Sequence, residues 1–178
     1  MKLNNLLTIK SLIIGGILIS SLLCYAAPQA EEPIRIFEQN SYQKIIGENN
    51  HKPFILILWS IDCPPCYEEL KFLGQYLKQY KKLSMVFVST DPLSEISNVQ
   101  AFIREVKLDN QEHWIYASES RRKLDYSIDP YWYGELPRSY FFIPGHNRKS
   151  YSGKLTDQEL EKFSKALLIS MAVPSQTR

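Results

Sequence analysis

The fold of this chain is decided by residues 53–66, which read Pro-Phe-Ile-Leu-Ile-Leu-Trp, then Ser-Ile-Asp, then Cys-Pro-Pro-Cys. The first seven residues form a continuous apolar run, which is typical of a central strand buried on both faces of a sheet. A helical pattern begins directly after Cys63-Pro64-Pro65-Cys66. Two cysteines at the start of a helix indicate a redox switch, because the helix dipole stabilises the thiolate of the partly exposed first cysteine.

The same C-x-x-C spacing also occurs as half of a zinc site, so a metal centre is the first alternative. Such a site needs a second pair of ligands. The other candidates are Cys24 and three scattered histidines, His51, His113 and His146, which we expect on the surface or in loops. The sequence therefore predicts no metal site and no cofactor.

Residues 1–26 have the pattern of a secretory signal peptide. Lys2 and Lys10 form a basic n-region, residues 12–23 are apolar apart from small residues, and cleavage is expected after Ala26. The alternative is a retained membrane anchor, but the apolar run is shorter than the roughly 20 residues that span a bilayer. We therefore expect the mature chain outside the cytosol, where disulfides persist.

Length and charge limit the class of function. Cleavage would remove Lys2 and Lys10 from the 21 Lys+Arg and none of the 19 Asp+Glu, leaving 19 of each sign. A balanced charge gives no electrostatic reason to bind nucleic acid or anionic lipid. Residues 27–178 are enough for a single domain with a substantial core.

Strand and helix patterns alternate along this domain and end in a hairpin and a closing helix, which indicates an α/β sandwich with a mixed sheet. The predicted strands are residues 34–37, 53–59, 85–88 and 139–143, with an edge strand at 149–154. Four helices are predicted, the first over residues 41–47. The core face of the second is Leu70, Leu73, Leu77 and Tyr80, and that of the third is Ile96, Val99, Ile103 and Val106, with Ser94 as its N-cap. The fourth begins with a capping box of Thr156 and Glu159 and has the core face Leu160, Phe163 and Leu167.

Residues 59–66, the Leu136-Pro137 pair before the strand at 139–143 and the turn at Gly145 resemble a thioredoxin fold. The signal peptide points to its periplasmic TlpA/ResA-type branch of thiol–disulfide oxidoreductases. The resemblance covers roughly residues 34–168 and implies a thioredoxin-like α/β/α sandwich with a central mixed sheet.

The resemblance also implies roles for individual residues. Cys63 would be the nucleophile, Cys66 the resolving thiol, and Pro137 a cis-proline facing the disulfide. Glu69 matches an acid that this branch often carries beside its redox pair; the alternative is an ordinary first-turn acid favoured by the helix dipole.

Members of this branch typically reduce protein disulfides outside the cytosol, many of them during cytochrome c maturation, with electrons from a membrane partner. The resemblance therefore implies protein disulfide substrates, a membrane electron-donor protein and a periplasmic location. One alternative is a disulfide oxidase or isomerase. Others are a thioredoxin-fold copper-delivery module, which typically has a C-x-x-x-C pair and a distant histidine, and a binding module whose cysteines only staple a loop.

The direction of the chemistry follows from the residues themselves. A thiolate attacks a disulfide and a second thiol resolves the mixed disulfide, and Cys63 and Cys66 are placed for these two steps. Pro64 and Pro65 stiffen the first turn and remove two N–H groups that could stabilise the thiolate. Asp62 adds like-charge repulsion, and these effects together favour a reductant.

An aromatic apron, formed by Tyr131, Trp132 and Tyr133, precedes Pro137. It is either a small satellite core under a loop or a surface that grips an extended segment of a partner, rimmed by Glu135 and Arg138. The positive charge of Arg138 would also oppose the effect of Asp62. The predicted substrate-binding residues are Leu136, Pro137, Arg138, Tyr131, Trp132 and Tyr133, and those expected to support the active site are Trp59, Asp62, Pro64 and Pro65.

Overall fold

The computed structural model describes residues 33–172 apart from positions 51, 82 and 119, with side chains described as far as residue 166. The predicted signal peptide, Cys24, His51 and the side chain of Leu167 lie outside this part of the chain. The elements are β1 (Arg35–Phe37), α1 (Ser41–Glu48), β2 (Phe54–Trp59), α2 (Pro64–Gln79), β3 (Met85–Ser89), α3 (Ile96–Glu105), β4 (Glu112–Tyr116), α4 (Arg121–Ile128), β5 (Arg138–Phe142), β6 (Lys149–Ser152) and α5 (Asp157–Ala172).

The six strands form one mixed sheet in the order β1-β4-β3-β2-β5-β6. The first four strands in that order are parallel, β5 runs antiparallel to β2, and β6 runs antiparallel to β5. All six residues of β2 are buried, as a strand with a neighbour on each side and helices on both faces requires. The predicted central strand, mixed sheet and edge strand are confirmed.

Side chains of the sheet alternate between two cores, because successive residues of a strand point to opposite faces. One face, which carries Ile57 and Phe87, packs against α2, α3 and α5. The opposite face, which carries Leu56 and Val88, packs against α1 and α4. These are called the α2 face and the α1 face below. Together they make the predicted α/β/α sandwich.

β4 and α4 have no counterpart among the predicted elements. β4 begins with Glu112 and His113, so it lacks the apolar run that marks β2 and β3, yet four of its five residues are buried. The expectation of a surface histidine is wrong for His113, whose Nε2 lies 2.8 Å from the carbonyl oxygen of Leu108. Its ring stacks on Phe87, and burial lowers its pKa to about 4. His146 is exposed in a loop, as expected.

Two predicted helix positions are wrong. Tyr80 lies just after α2 and is 53% exposed, whereas the three leucines predicted for that core face are buried. Ser94 does not cap α3, because a 3₁₀ turn at Leu93–Glu95 begins directly after the extended backbone of Pro92. The turn carries the chain into α3, whose N-cap is Glu95.

The last helix begins where it was predicted and buries the predicted face within the described residues, while Thr156 and Glu159 meet through their side chains. Thr156 directly precedes α5, and its hydroxyl donates to the carboxylate of Glu159. Leu160 and Phe163 are buried on the α2 face. The closing helix therefore covers the same face as α2 itself.

α2 and α3 approach each other so closely that no side chain fits at Gly74. A Cβ built on Gly74 would lie 1.9 Å from the carbonyl oxygen of Val106, at the end of α3. Because this neighbour is backbone, a helix would have to move to relieve the clash.

We expect Gly74→Ala to lower the free energy of unfolding by about 1–3 kcal/mol, the usual range for overpacking a core. The matched control is Gly47→Ala in α1, where nothing lies within 4 Å of the added Cβ. Alanine there should be neutral or stabilising by roughly 0.5–1 kcal/mol. Urea unfolding measures both variants, and equal stability of the two would contradict the close approach.

Candidate redox site

The two cysteines lie at the N-terminus of α2 and are joined in a disulfide. Cys63 is the N-cap residue and is partly exposed, whereas Cys66, one turn inside the helix, is fully buried. The backbone N–H of Cys66 donates to the Sγ atom of Cys63 over 3.2 Å. An incoming sulfur can therefore reach Cys63 while Cys66 stays shielded.

Pro64 and Pro65 occupy the first two positions of α2. Neither residue has a backbone N–H, so Cys66 is the first helical residue that can donate one. Its N–H lies 3.2 Å from the Sγ atom and 2.9 Å from the carbonyl oxygen of Cys63. The sulfur of Cys63 thus sits at a helix N-terminus from which two of the usual donors are missing.

A cis peptide bond joins Leu136 to Pro137, directly before β5. In the antiparallel pair of β2 and β5, Leu58 lies opposite Arg138. Pro137 precedes Arg138 and Trp59 follows Leu58, so both lie at the end of this pair where the chain leaves β2 for the cysteines. The cis form implied by the resemblance is present, next to the start of the loop of residues 60–63, called the redox loop below.

Glu69 is fully buried on the α2 face. Its Oε1 atom accepts a hydrogen bond of 2.7 Å from the backbone N–H of Leu155, while Oε2 has no hydrogen-bond partner among the described residues. Burial raises the pKa of Glu69 to about 7, against the opposing effects of the Leu155 N–H and the charge of Lys154. Glu69 is buried and lies beyond the first turn of α2, so the alternative of an ordinary first-turn acid is wrong, and a role in proton transfer remains a prediction.

Trp59 directly precedes the loop that leads to Cys63, and Asp62 is the last residue of the loop before Cys63. Trp59 is fully buried at the end of β2 and packs against Phe102, with ring centroids 5.3 Å apart. Asp62 is exposed, and its backbone N–H donates to the hydroxyl of Ser60 over 3.1 Å. Trp59 is thus a packing residue beneath the site, and Asp62 leaves its charge at the surface beside it.

Arg138 points toward the α1 face, and its side chain is only 14% exposed. The guanidinium lies over the ring of Tyr140 and pairs with Asp129 at 3.4 Å and with Glu135 at 3.2 Å. Its charge is therefore compensated inside the protein. The expectation that Arg138 lines an exposed substrate surface is not met, because a network under the loop already holds its side chain.

The aromatic apron divides into buried and exposed members. Trp132 is 6% exposed, packs in the core of the α1 face, and donates its indole N–H to the carbonyl oxygen of Glu135 over 2.9 Å. Tyr131 and Tyr133 are 85% and 96% exposed. The apron prediction is wrong for Trp132, which belongs to a core under the loop, as the alternative expected. Leu136 is partly buried and contacts both cores.

Asp91 was not identified from the sequence, although it contacts the redox loop. It is 4% exposed, and its carboxylate accepts hydrogen bonds from Ser60 and from the backbone of Ile61. The available signal is an acidic residue two positions after a buried strand. Because β2 and β3 are parallel neighbours, their carboxyl ends share one edge of the sheet.

The described residues contain no group of three or more His, Cys, Asp or Glu side chains that could hold a metal ion. None of their helices is long and apolar enough to cross a membrane.

No family model matches the sequence, and no curated protein matches it. Solved structures of low sequence identity are similar to it. A secreted Mycobacterium tuberculosis disulfide oxidoreductase homologous to E. coli DsbE has a TM-score of 0.54 at 17% identity, over 68% of this chain and 86% of that one. A thiol:disulfide interchange protein of the thioredoxin family from Chlorobium tepidum TLS has a TM-score of 0.54 at 16% identity, over 69% and 84%. M. tuberculosis DsbF has a TM-score of 0.52 at 21% identity, over 67% and 84%. The predicted thioredoxin fold is confirmed.

We expect Glu69→Gln to change how the stability of the oxidised protein depends on pH. The folded-state pKa of Glu69 is raised from 4.5 to about 7. Its contribution to stability is therefore fully present below the unfolded pKa and is lost as pH rises through about 7. Relative to wild type, the variant should gain about 2–3 kcal/mol between about pH 4 and about pH 8.

Denaturant unfolding of the oxidised proteins measures this difference, since disulfide-bonded cysteines do not titrate. His113, whose pKa is lowered, acts in the opposite direction over an overlapping range but is common to both proteins. Glu38→Gln is the control, because Glu38 is exposed beyond β1 and its replacement should leave the pH dependence close to wild type. A difference between Glu69→Gln and wild type that stays constant with pH would contradict the raised pKa.

Proposed function

We propose that this protein is an extracytoplasmic thiol–disulfide oxidoreductase that reduces disulfides in other proteins. The observation that carries the proposal is the Cys63–Cys66 disulfide, which opens α2 on a thioredoxin fold. The cis-proline Pro137 at the head of the neighbouring strand supports it. Disulfide oxidoreductases are also among the solved structures that share the fold.

In the reduced protein, the thiolate of Cys63 attacks one sulfur of the substrate disulfide. The substrate S–S bond breaks, its second sulfur leaves as a thiolate that takes up a proton, and Cys63 is held in a mixed disulfide. The thiolate of Cys66 then attacks the sulfur of Cys63, which releases the first substrate sulfur as a thiol. Two electrons and two protons pass to the substrate, and the internal disulfide is restored.

Glu69 is the proposed acceptor for the proton that Cys66 loses in the second step. Cys66 is fully buried, so water cannot readily take this proton. Glu69 lies one turn further along α2, is equally buried, and has a pKa of about 7. A carboxyl group that titrates near the working pH is suited to accept and release a proton.

The reducing direction rests on how little the fold does to stabilise the thiolate of Cys63. The two prolines that follow it supply no N–H, and the exposed carboxylate of Asp62 precedes it. A poorly stabilised thiolate makes the dithiol form less favourable, so the pair gives up its electrons more readily.

The proposed setting is the periplasm, with electrons supplied by a membrane protein and cytochrome c maturation as the pathway. The signal-peptide pattern of residues 1–26 supports export, and residues 27–178 would then form the mature single domain. The fold is shared with a secreted disulfide oxidoreductase homologous to E. coli DsbE. The exposed Tyr131 and Tyr133, in the segment that leads to the cis-proline, are the proposed contacts for an extended client segment.

Trapping tests the activity and the client class together. Cys66→Ser should form a stable mixed disulfide with an oxidised peptide that contains Cys-x-x-Cys-His, the haem attachment motif. Cys63→Ser, which retains only the buried sulfur, should form none. Intact mass spectrometry detects the adduct, and its absence with this peptide and with oxidised insulin would reject the oxidoreductase. Equal adduct rates for the Cys-x-x-Cys-His peptide and a peptide lacking its histidine would remove the cytochrome c assignment alone.

The reduction potential tests the direction. We expect the mature domain to have a potential closer to about −270 mV than to about −120 mV, since thiolate stabilisation is what raises this value in strong oxidants. Equilibration with glutathione buffers, followed by quantification of the dithiol fraction, gives the potential. A value above about −180 mV would make the protein a disulfide oxidase or isomerase instead.

A further inference from the structure

Asp91 lies just beyond the end of β3, and its carboxylate is enclosed by hydrogen-bond donors. Oδ1 accepts from the hydroxyl of Ser60 at 2.6 Å. Oδ2 accepts from the backbone N–H of Ile61 at 3.0 Å and from the hydroxyl of Ser89 at 2.6 Å. Asp91 is 4% exposed, so these bonds form away from water. Two of the three donors belong to the loop that leads to the redox pair.

The hydrogens of both serine hydroxyls are directed at this carboxylate. The Ser60 hydroxyl accepts the backbone N–H of Asp62 at 3.1 Å, and the Ser89 hydroxyl accepts the backbone N–H of Asp91 at 3.1 Å. Each hydroxyl has a single hydrogen, which it donates to Asp91. The group is therefore a negatively charged acceptor with three donors, and hydrogen bonds to a charged acceptor are the stronger class.

These bonds determine the path of the chain into Cys63. Ser60 and Ile61 are held by Asp91, and the backbone N–H of Cys63 donates to the carbonyl oxygen of Ser60 at 3.3 Å. The loop between β2 and α2 is only four residues long and ends at Cys63, so fixing its first two residues fixes where the sulfur of Cys63 lies. A second tie, from the Thr90 N–H to the Trp59 carbonyl at 2.8 Å, holds the same two chain segments together.

The charge of Asp91 lies close behind the N-terminus of α2, where the helix dipole would otherwise favour a thiolate. A buried charge is screened less than an exposed one such as Asp62. Glu69 on α2 and Arg138 at the start of β5, whose charge is paired with Asp129, are further ionisable groups near the pair. Asp91 is thus placed to act on Cys63 both through the loop and through its field.

We propose that Asp91 is the positioning residue of the redox pair: it anchors the Ser60–Ile61 loop in the disulfide conformation and opposes the negative charge of the Cys63 thiolate. Both actions favour the disulfide over the dithiol and so strengthen the reducing character. This inference rests on the proposed redox function of Cys63 and Cys66. It adds a residue that follows a different strand and whose side-chain hydrogen bonds run to Ser60, Ile61 and Ser89.

The test is the equilibrium of each variant with glutathione at pH 7. In this reaction the protein disulfide takes two electrons and two protons from two glutathione thiols, giving the dithiol and one glutathione disulfide. Asp91→Asn keeps the shape of the side chain and removes its charge, and should shift the equilibrium toward the dithiol at least fivefold. Asp91→Ala also removes the hydrogen bonds to Ser60 and Ile61 and should shift the equilibrium further toward the dithiol. Glu38→Gln removes an exposed charge beyond β1 and should stay within twofold of wild type.

A purely structural role would destabilise the oxidised and reduced proteins equally and leave this equilibrium unchanged. Equilibrium constants within twofold of wild type for both Asp91 variants would therefore overturn the inference. If those variants do not fold, Ser60→Ala tests the proposal, because it removes one hydrogen bond to Asp91 and keeps the carboxylate. It should shift the equilibrium two- to threefold toward the dithiol, and no shift would overturn the proposal. Failure of Cys66→Ser to trap any client would instead reject the proposed function, whatever the Asp91 variants do.

Discussion

The rest of the structure depends on the burial of β2 between β3 and β5. All six of its side chains are enclosed, so the strand has no freedom in register or in the direction in which it ends. Its two neighbours bring two other segments to the same edge. β5 brings Pro137 from one side, and the segment after β3 brings Asp91 from the other. The redox site is therefore formed by three parts of the chain that meet at the end of one buried strand.

Two buried acids, Glu69 and Asp91, lie near the cysteines, and their surroundings give them different roles. Glu69 accepts one hydrogen bond, and its second oxygen has no partner in the part of the chain that the structure describes, so burial makes its ionised form costly and raises its pKa to about 7. Asp91 receives three donors, two of them from the redox loop. The first arrangement suits a group that exchanges a proton. The second suits a group that holds the backbone of the redox loop in place.

Several sequence predictions failed where burial came from distant partners. β4 was missed because Glu112 and His113 interrupt its apolar pattern, and its burial depends on pairing with β1 and β3. Trp132 and its two tyrosine neighbours are adjacent in sequence, yet only the tryptophan is buried. Asp129 turns the chain at this point, since its side chain accepts the backbone N–H of Tyr131 and its carbonyl oxygen accepts that of Trp132.

The sequence by itself determined the α/β/α class, the central strand and the placement of Cys63 and Cys66 at a helix start. These features are local, because an apolar run, a helical period and a Pro-Pro turn act over a few residues. Only the tertiary structure decided that Glu69 is buried with one oxygen unpaired, that Arg138 is neutralised by Asp129, and that Asp91 holds the redox loop. Those properties depend on contacts between residues far apart in the chain. The residues next to a carboxylate in the sequence do not determine how many hydrogen-bond donors reach it.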